Sequence, residues 1–278
     1  MTDPLAACLN GSLRPELAIA RLLLDGETPE AICARVEAAR SDSAGWAELD
    51  RLASNPDTLR RLRRMLEAAG VDHAEPATPA AIAALFDGAV AISPEASVAF
   101  YSLGDPERLA ATTEEIVAWL MQKDLLRPGT DVLDLGCGIG RIAAAIARYV
   151  RTVHAIDSSG GMVAEARRRC AGIPNATVAL TRGSDLSGIG KGSFDLILAV
   201  DSFPYLVQAG VAQRHLLDAR RILRPGGALV ALNLAYAPDL GRADARAWAT
   251  SIGYELEAPT ASPFTLWDGL PFIFRRSA

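Results

Sequence analysis

The sequence predicts an α/β protein, a doubly wound and mostly parallel sheet preceded by an all-helical region. Three observations carry this. From residue 131 onward, short apolar runs alternate with amphipathic stretches. The first of those runs leads into "VLDLGCGIGR", Val132 to Arg141, where three glycines stand at alternate positions behind a buried-strand pattern. The first 90 residues carry helical spacing and no β-branched runs.

The N-terminal region opens with four expected helices, each beginning near a proline or polar start signal: "RPELAIARLLL" (14–24), "PEAICARVEAA" (29–39), "AGWAELDRLA" (44–53) and "PDTLRRLRRMLEAAG" (56–70). Leu59, Leu62, Met65 and Leu66 form one face of the fourth, with arginines opposite as a solvated basic face. Residues 79–100 read as a transition with one more helix, broken at Gly88 and Pro94. The next helix starts with Asp105 as N-cap and Pro106 at the first helical position, and its apolar face is Leu109, Ile116, Val117, Leu120 and Met121. The expected division is therefore a helical region over 1–90 and an α/β domain over 91–278.

Strands are expected at 131–135, 152–156, 176–180, 194–200, 228–234 and around 270–275, most of them apolar throughout, as strands buried on both faces should be. Helical stretches at 141–149, 159–171, 211–223 and 243–252 separate several of them. That alternation calls for parallel strands with helices on both faces.

Composition narrows the function. A net charge of −5 and a pI near 5.3 give no general attraction to a phosphate backbone, so nucleic acid is not expected as a partner. Cys8, Cys33, Cys137 and Cys170 are scattered without metal-type spacing, which suits free thiols in a reducing cytoplasm and no metal site. No apolar run approaches the roughly 20 residues of a membrane span, and the N-terminus lacks a basic region followed by an apolar one. A cytoplasmic protein without a membrane partner is expected.

The glycine turn names the ligand class. In a doubly wound sheet the crevice lies beyond the carboxyl ends of the strands, and a glycine-rich first turn admits close backbone approach. Gly136, Gly138 and Gly140 fit that place. About 20 residues on, Asp157 closes "TVHAID" with Ser158 beside it, where a carboxylate can accept both hydrogen bonds of a ribose diol. A dinucleotide fits less well: the third glycine of its G-x-G-x-x-G signature is Arg141 here, and Asp134 at the mouth of the turn would meet a diphosphate with like charge. A nucleoside-like ligand with a cationic end suits the pair of acids better.

"VLDLGCGIGR", followed by "AIDSSGGMVAEAR", "GSDL", "FDLILAVDSF" and "ARRILRPGGALV", resembles the class I S-adenosylmethionine-dependent methyltransferases, with the motifs in the usual order over residues 100–275. The first 90 residues carry no such resemblance. The likeness implies a seven-stranded sheet of the methyltransferase type and S-adenosylmethionine as cofactor. It implies that Asp134 and the glycine turn face the cofactor's cationic amino-acid end, with its carboxylate near the helix N-terminus or Arg141. Asp157 would hold the ribose, Met162 would lie against adenine, and Ser184 with Asp185 would receive the adenine amino group. Ala199, Val200 and Asp201 would end the fourth strand under the sulfonium.

Each role has a plainer rival: a tight turn for the glycines, core packing for Met162, a local cap for Asp185 and for Asp201. Methyl transfer is an in-line displacement, so positioning dominates, and a base is needed only for an acceptor that keeps its proton near pH 7. Asp201 and Tyr205 of "VDSFPYL" are the candidates for catalysis. Tyr101 is a candidate cofactor contact, and Phe86, Phe100, Phe203, Tyr205 and Tyr236 suggest a partly apolar small-molecule acceptor, its atom (O or N) open. His154 and His215 read as structural, His73 as inert, and Asp195 as support for a strand start. The N-terminal helices are expected either to cover the site or to pair two subunits in a homodimer. The competing reading is a non-catalytic cofactor-binding subunit whose helices dock a partner protein.

Overall fold

The computed structural model describes residues 3–69, 77–235 and 242–277 of the chain. His73 and Tyr236 lie outside the described residues, as do Gly70 and most of the loop after the fifth strand. Two compact units divide the chain: one joins Met1–Val71 with Gly88–Thr112, the other joins Asp72–Asp87 with Thr113–Ala278. A single cut at residue 90 therefore does not describe it, because residues 79–87 belong with the sheet and residues 91–112 with the helices.

The helical unit contains α1 (Pro4–Leu9), α2 (Pro15–Leu24), α3 (Pro29–Ala38), α4 (Ala44–Ala53) and α5 (Pro56–Ala69). It also holds the end of α6 (Pro79–Ile92), α7 (Pro94–Val98), a 3-10 turn at Phe100–Ser102 and the start of α8 (Pro106–Gln122). Caps place the starts: Asp3 accepts from Leu5 N and Ala6 N, Thr28 from Ala31 N, and Asp105 from Glu107 N and Arg108 N. Leu59, Leu62 and Met65 of α5 are buried among Ile19, Leu22, Leu23, Ile32 and Leu49. Of the arginines on α5, Arg60 pairs with Glu30 and Asp57, and Arg63 with Glu67. Helix α6 passes through Gly88 without a break, and α1 had no sequence expectation.

The α/β unit is built on a seven-stranded sheet in the order β3-β2-β1-β4-β5-β7-β6. The strands are β1 (Asp131–Leu135), β2 (Thr152–Asp157), β3 (Ala176–Leu180), β4 (Phe194–Val200), β5 (Leu223–Leu232), β6 (Tyr254–Glu257) and β7 (Pro271–Arg276). Strands β1 to β5 run parallel, while β7 is antiparallel to both β5 and β6. Helices α9 (Arg141–Ile146), α10 (Gly160–Arg169), α11 (Phe203–Gln208), α12 (Ala212–Ile222) and α13 (Arg242–Ile252) connect them, α9 running on into a 3-10 turn at Ala147–Tyr149. Every residue of β1 is buried, as a central parallel strand requires. On one face Leu133, Ile197, Leu229 and Phe274 meet Leu216, Ala219 and Ile222 of α12 and Ala245 and Ala249 of α13.

Two details depart from expectation. Strand β5 begins at Leu223, crosses Gly226 and Gly227, and shifts register against β4 between Phe194 and Leu196. The edge strand β6 and the short helix α11 had no sequence expectation.

At the amino end of the sheet, Asp195 Oδ2 accepts from Asp131 N–H at 2.8 Å and from Arg224 Nη1 at 2.7 Å. Asp131 in turn accepts from Arg151, Thr152 and Arg224, and the hydrogen bond from Arg151 leads in holding its carboxyl far below the usual range. Asp195 is thus the support at a strand start that its position suggested. Strand order reverses between β1 and β4, so the crevice falls at the opposite, carboxyl end.

Candidate cofactor site

The turn after β1 is set by backbone hydrogen bonds. Gly136 N–H and Cys137 N–H both donate to Ile156 O, at 2.9 and 3.0 Å, and Gly140 N–H closes the turn on Cys137 O at 2.9 Å. Gly136, Gly138 and Gly140 lie at φ 71°, 53° and 75°, the left-handed region that side chains disfavour. The room left by two of these glycines is used by protein. A Cβ on Gly136 would stand 2.3 Å from Ser202 Cβ, and one on Gly140 would stand 3.0 Å from Ala166 of α10. Ser202 Oγ also donates to Leu135 O at 2.5 Å, so the segment after β4 is seated directly on the turn.

Two carboxylates meet here. Asp134 is 1% exposed within β1, and its Oδ2 has no hydrogen-bond partner among the described residues. Burial first, then the charge of Asp157, pushes its carboxyl up to about 7, against the opposing pull of Arg141. Asp157, at the end of β2, accepts from Gly138 N–H at 2.8 Å and Ser159 N–H at 2.9 Å. Burial pushes its carboxyl up as well, and those amides resist. An orphaned anionic oxygen beside an amide-held carboxylate is what a cationic nucleoside would complete. Arg141 is 6% exposed and donates through Nη1 to Thr113 Oγ1 at 3.0 Å.

Around these acids the remaining candidates separate. Ser158 is half-buried and faces Gly183, where a Cβ would meet Ser158 Cβ at 3.2 Å. Met162 is 1% exposed, on the inner face of α10 with Val163 and Ala166. Ser184 is exposed, and Asp185 Oδ1 accepts from Ser187 Oγ at 2.6 Å and Ser187 N–H at 3.0 Å. Asp185 thus makes the local capping turn, and the Ser187 bonds hold its carboxyl below the usual range. Val200 ends β4 half-buried. Asp201 follows in a left-handed conformation, φ 56°, with its Oδ1 accepting from Asn233 Nδ2 at 2.6 Å. Tyr205 lies on α11 with its ring edge-on to Phe86, centroids 4.8 Å apart. Tyr101 belongs to the helical unit, in the 3-10 turn, and the glycine turn to the α/β unit.

His154 pairs through Nδ1 with Thr177 Oγ1 at 2.8 Å, and His215, 1% exposed, pairs through Nδ1 with Val211 O at 3.0 Å. Burial lowers both pKa values. Two residues had no sequence signal strong enough to find them. Asn233, just after β5, is left-handed at φ 67° and accepts from Leu270 N–H at 2.9 Å while donating to Asp201. Asn tolerates that conformation, which is a signal only once the strand end is known. Asp87 of α6 accepts from Ser159 Oγ at 2.6 Å and Gly161 N–H at 2.8 Å, contacts more than 70 positions away in the chain.

A doubly wound sheet whose first turn is glycine-rich, with an acid closing its second strand, is an arrangement that suits a nucleoside-like ligand. Residues 132–227 match the family model described as a methyltransferase domain. The matched span takes in the glycine turn, Asp157 and the end of β4 with Asp201. Over 108 residues it is 41% identical to demethylmenaquinone methyltransferase of Tropheryma whipplei, covering 39% of this chain and 43% of that protein. Over 116 residues it is 34% identical to 23S rRNA (uracil(1939)-C(5))-methyltransferase of Stenotrophomonas maltophilia, covering 40% of this chain and 25% of that protein. The chain thus spans less than half the length of these curated relatives. Magnesium protoporphyrin IX methyltransferase from Synechocystis, solved with S-adenosylmethionine bound, superposes at TM-score 0.48 and 22% identity, covering 62% of this chain and 81% of that one.

Proposed function

We propose that this protein transfers the methyl group of S-adenosylmethionine to an oxygen or nitrogen of a small, partly apolar molecule. The observation that carries the cofactor half of the reading is Asp134, a buried carboxylate oxygen without a partner beside Asp157 and the glycine turn. S-adenosylmethionine, when bound, supplies a methyl group activated on a sulfonium. Asp157 would accept from the ribose hydroxyls while keeping the backbone bonds that orient it, and Asp134 would face the cationic amino-acid end. Seating Ser202 on Gly136 would hold the segment bearing Asp201 and Tyr205 in register with the donor, so that the acceptor is presented in line. Asp201 is aimed by Asn233 rather than left to rotate, as a group that orients an acceptor proton requires.

A small-molecule acceptor is supported by the acidic balance of the chain, by the Phe86–Tyr205 ring pair, and by the quinone named for the Tropheryma relative. Titration calorimetry with S-adenosylmethionine and S-adenosylhomocysteine tests the cofactor half, with Asp157→Ala as control. Binding to the wild type and a loss of tenfold or more in the variant are expected; a folded wild type that binds neither ligand would refute it. Release of S-adenosylhomocysteine in the presence of hydroquinones, phenols and amines, set against RNA and protein substrates, tests the acceptor half.

A further inference from the structure

One segment of the α/β unit touches the segments that follow three strands, β4, β3 and β2. Residues 77–87 begin where Ala77 N–H donates to Gln208 O at 3.3 Å, behind β4. Thr78 Oγ1 caps the helix by accepting from Ala81 N–H at 3.1 Å, and Phe86 meets the ring of Tyr205. Pro79 reaches the loop after β3, since a Cβ on Gly183 would meet Pro79 Cβ at 3.5 Å and Ser158 Cβ at 3.2 Å. The crossing ends on the turn after β2, where Asp87 Oδ1 takes both Ser159 Oγ and Gly161 N–H. This is the edge at which a doubly wound sheet receives its ligand.

Ser159 ties this end of the segment to the candidate site. Its hydroxyl donates to Asp87 and accepts from Met162 N–H at 3.0 Å as the cap of α10, and its own N–H donates to Asp157 Oδ1. The carboxylate expected to grip ribose and the carboxylate of Asp87 within α6 are therefore held by the main chain and the side chain of one residue. Asp87 is also near enough for its charge to raise the Asp157 carboxyl. Moving Asp87 away would leave the Ser159 hydroxyl with only the bond it accepts from Met162 N–H.

We propose that residues 77–87 form a strap across the cofactor crevice and that Asp87 is its clasp, a positioning residue acting on Asp157 through Ser159, so that unclasping governs cofactor entry and exit. The inference rests on the cofactor reading above. It separates two functions that one carboxylate could not serve: Asp157 contributes affinity, while Asp87 sets exchange rate.

The test measures association and dissociation of S-adenosylhomocysteine by surface plasmon resonance on the full chain, alongside calorimetric Kd values. Asp87→Asn and Ser159→Ala should each raise the dissociation rate about tenfold, the loss of one charge-assisted hydrogen bond, with a parallel rise in the association rate. Kd should then move less than either rate, and the double variant should be no faster than the single ones. A purely structural role would instead lower the unfolding midpoint and leave the two rates of the folded fraction unchanged. Ala77→Cys with Gln208→Cys supplies a second handle: oxidation should slow exchange and a reductant should restore it. Rates within twofold of wild type in Asp87→Asn and Ser159→Ala would overturn the clasp, and equal exchange in the oxidised and reduced pair would overturn the strap. A wild type that binds no S-adenosylhomocysteine would instead overturn the cofactor reading beneath it.

Discussion

The role proposed for Asp134 makes cofactor affinity a function of pH. In the empty fold its carboxyl titrates near 7 rather than 3.8, so between those values the folded state keeps a proton that the unfolded state has lost. Stability of the empty protein from this group is therefore greatest below about pH 4 and declines as pH rises through 7. A cationic ligand reverses the preference, because it pairs with the ionised form. Calorimetry in buffers of different ionisation enthalpy should show S-adenosylmethionine binding more tightly at pH 8 than at pH 6, with proton release. Asp134→Asn should flatten that dependence, weaken binding at least tenfold, and raise the melting temperature of the empty protein at pH 8. Gly136 gives a second test. Alanine there carries the left-handed penalty of about 1–2 kcal/mol and an overpacking penalty of about 1–3 kcal/mol against Ser202. Urea unfolding should show both in Gly136→Ala, and Ser202→Gly in the same chain should recover only the second.

Among the elements, β1, β4 and β5 are held at their amino ends by Asp131, Asp195 and Arg224. Because the Asp131 carboxyl is depressed, its contribution is complete above the unfolded value of 3.8 and is lost as pH falls below it. Arg224→Met should cost about 1–2 kcal/mol in urea unfolding at pH 7, with a smaller difference at pH 3, where Asp131 is protonated in the unfolded chain. This staple was half legible, since "SFDLI" marks Asp195 at a strand start but nothing local pairs it with residues 131 and 224. The parallel strands were legible because burial on both faces leaves unbroken apolar runs such as "FDLILAV". Edge strand β6, "YELE", buries only Tyr254 among its four residues, and so small a signal does not stand out from a loop. Gly88 reads as a breaker because propensity is local, whereas α6 runs through it; at Pro94 a new helix does begin. At the site, the turn and its acids could be read from spacing, but the neighbours of Gly136 and Gly140 could not. Those glycines admit Ser202 and Ala166, residues 66 and 26 positions on. Asp87 escaped for the same reason, its meaning lying wholly in contacts remote in sequence.

For the whole molecule, a net charge of −5 bears on the acceptor. No basic excess is available to release counterions, so filter binding at about 150 mM salt should show no retention of single- or double-stranded RNA. A micromolar complex whose affinity falls steeply with salt would redirect the acceptor half of the proposal toward the ribosomal RNA relative. Among the described residues no helix is long and apolar enough to cross a membrane. The seat of Ser202 on Gly136 carries a last consequence, for anyone who would retarget this protein to a new acceptor. A library that varies the proposed acceptor side has to leave position 202 alone, because its side chain packs against Gly136 and bonds to Leu135 O. Anything larger than serine there would press on the turn at Gly136, so selectivity has to be rewritten around a fixed small residue.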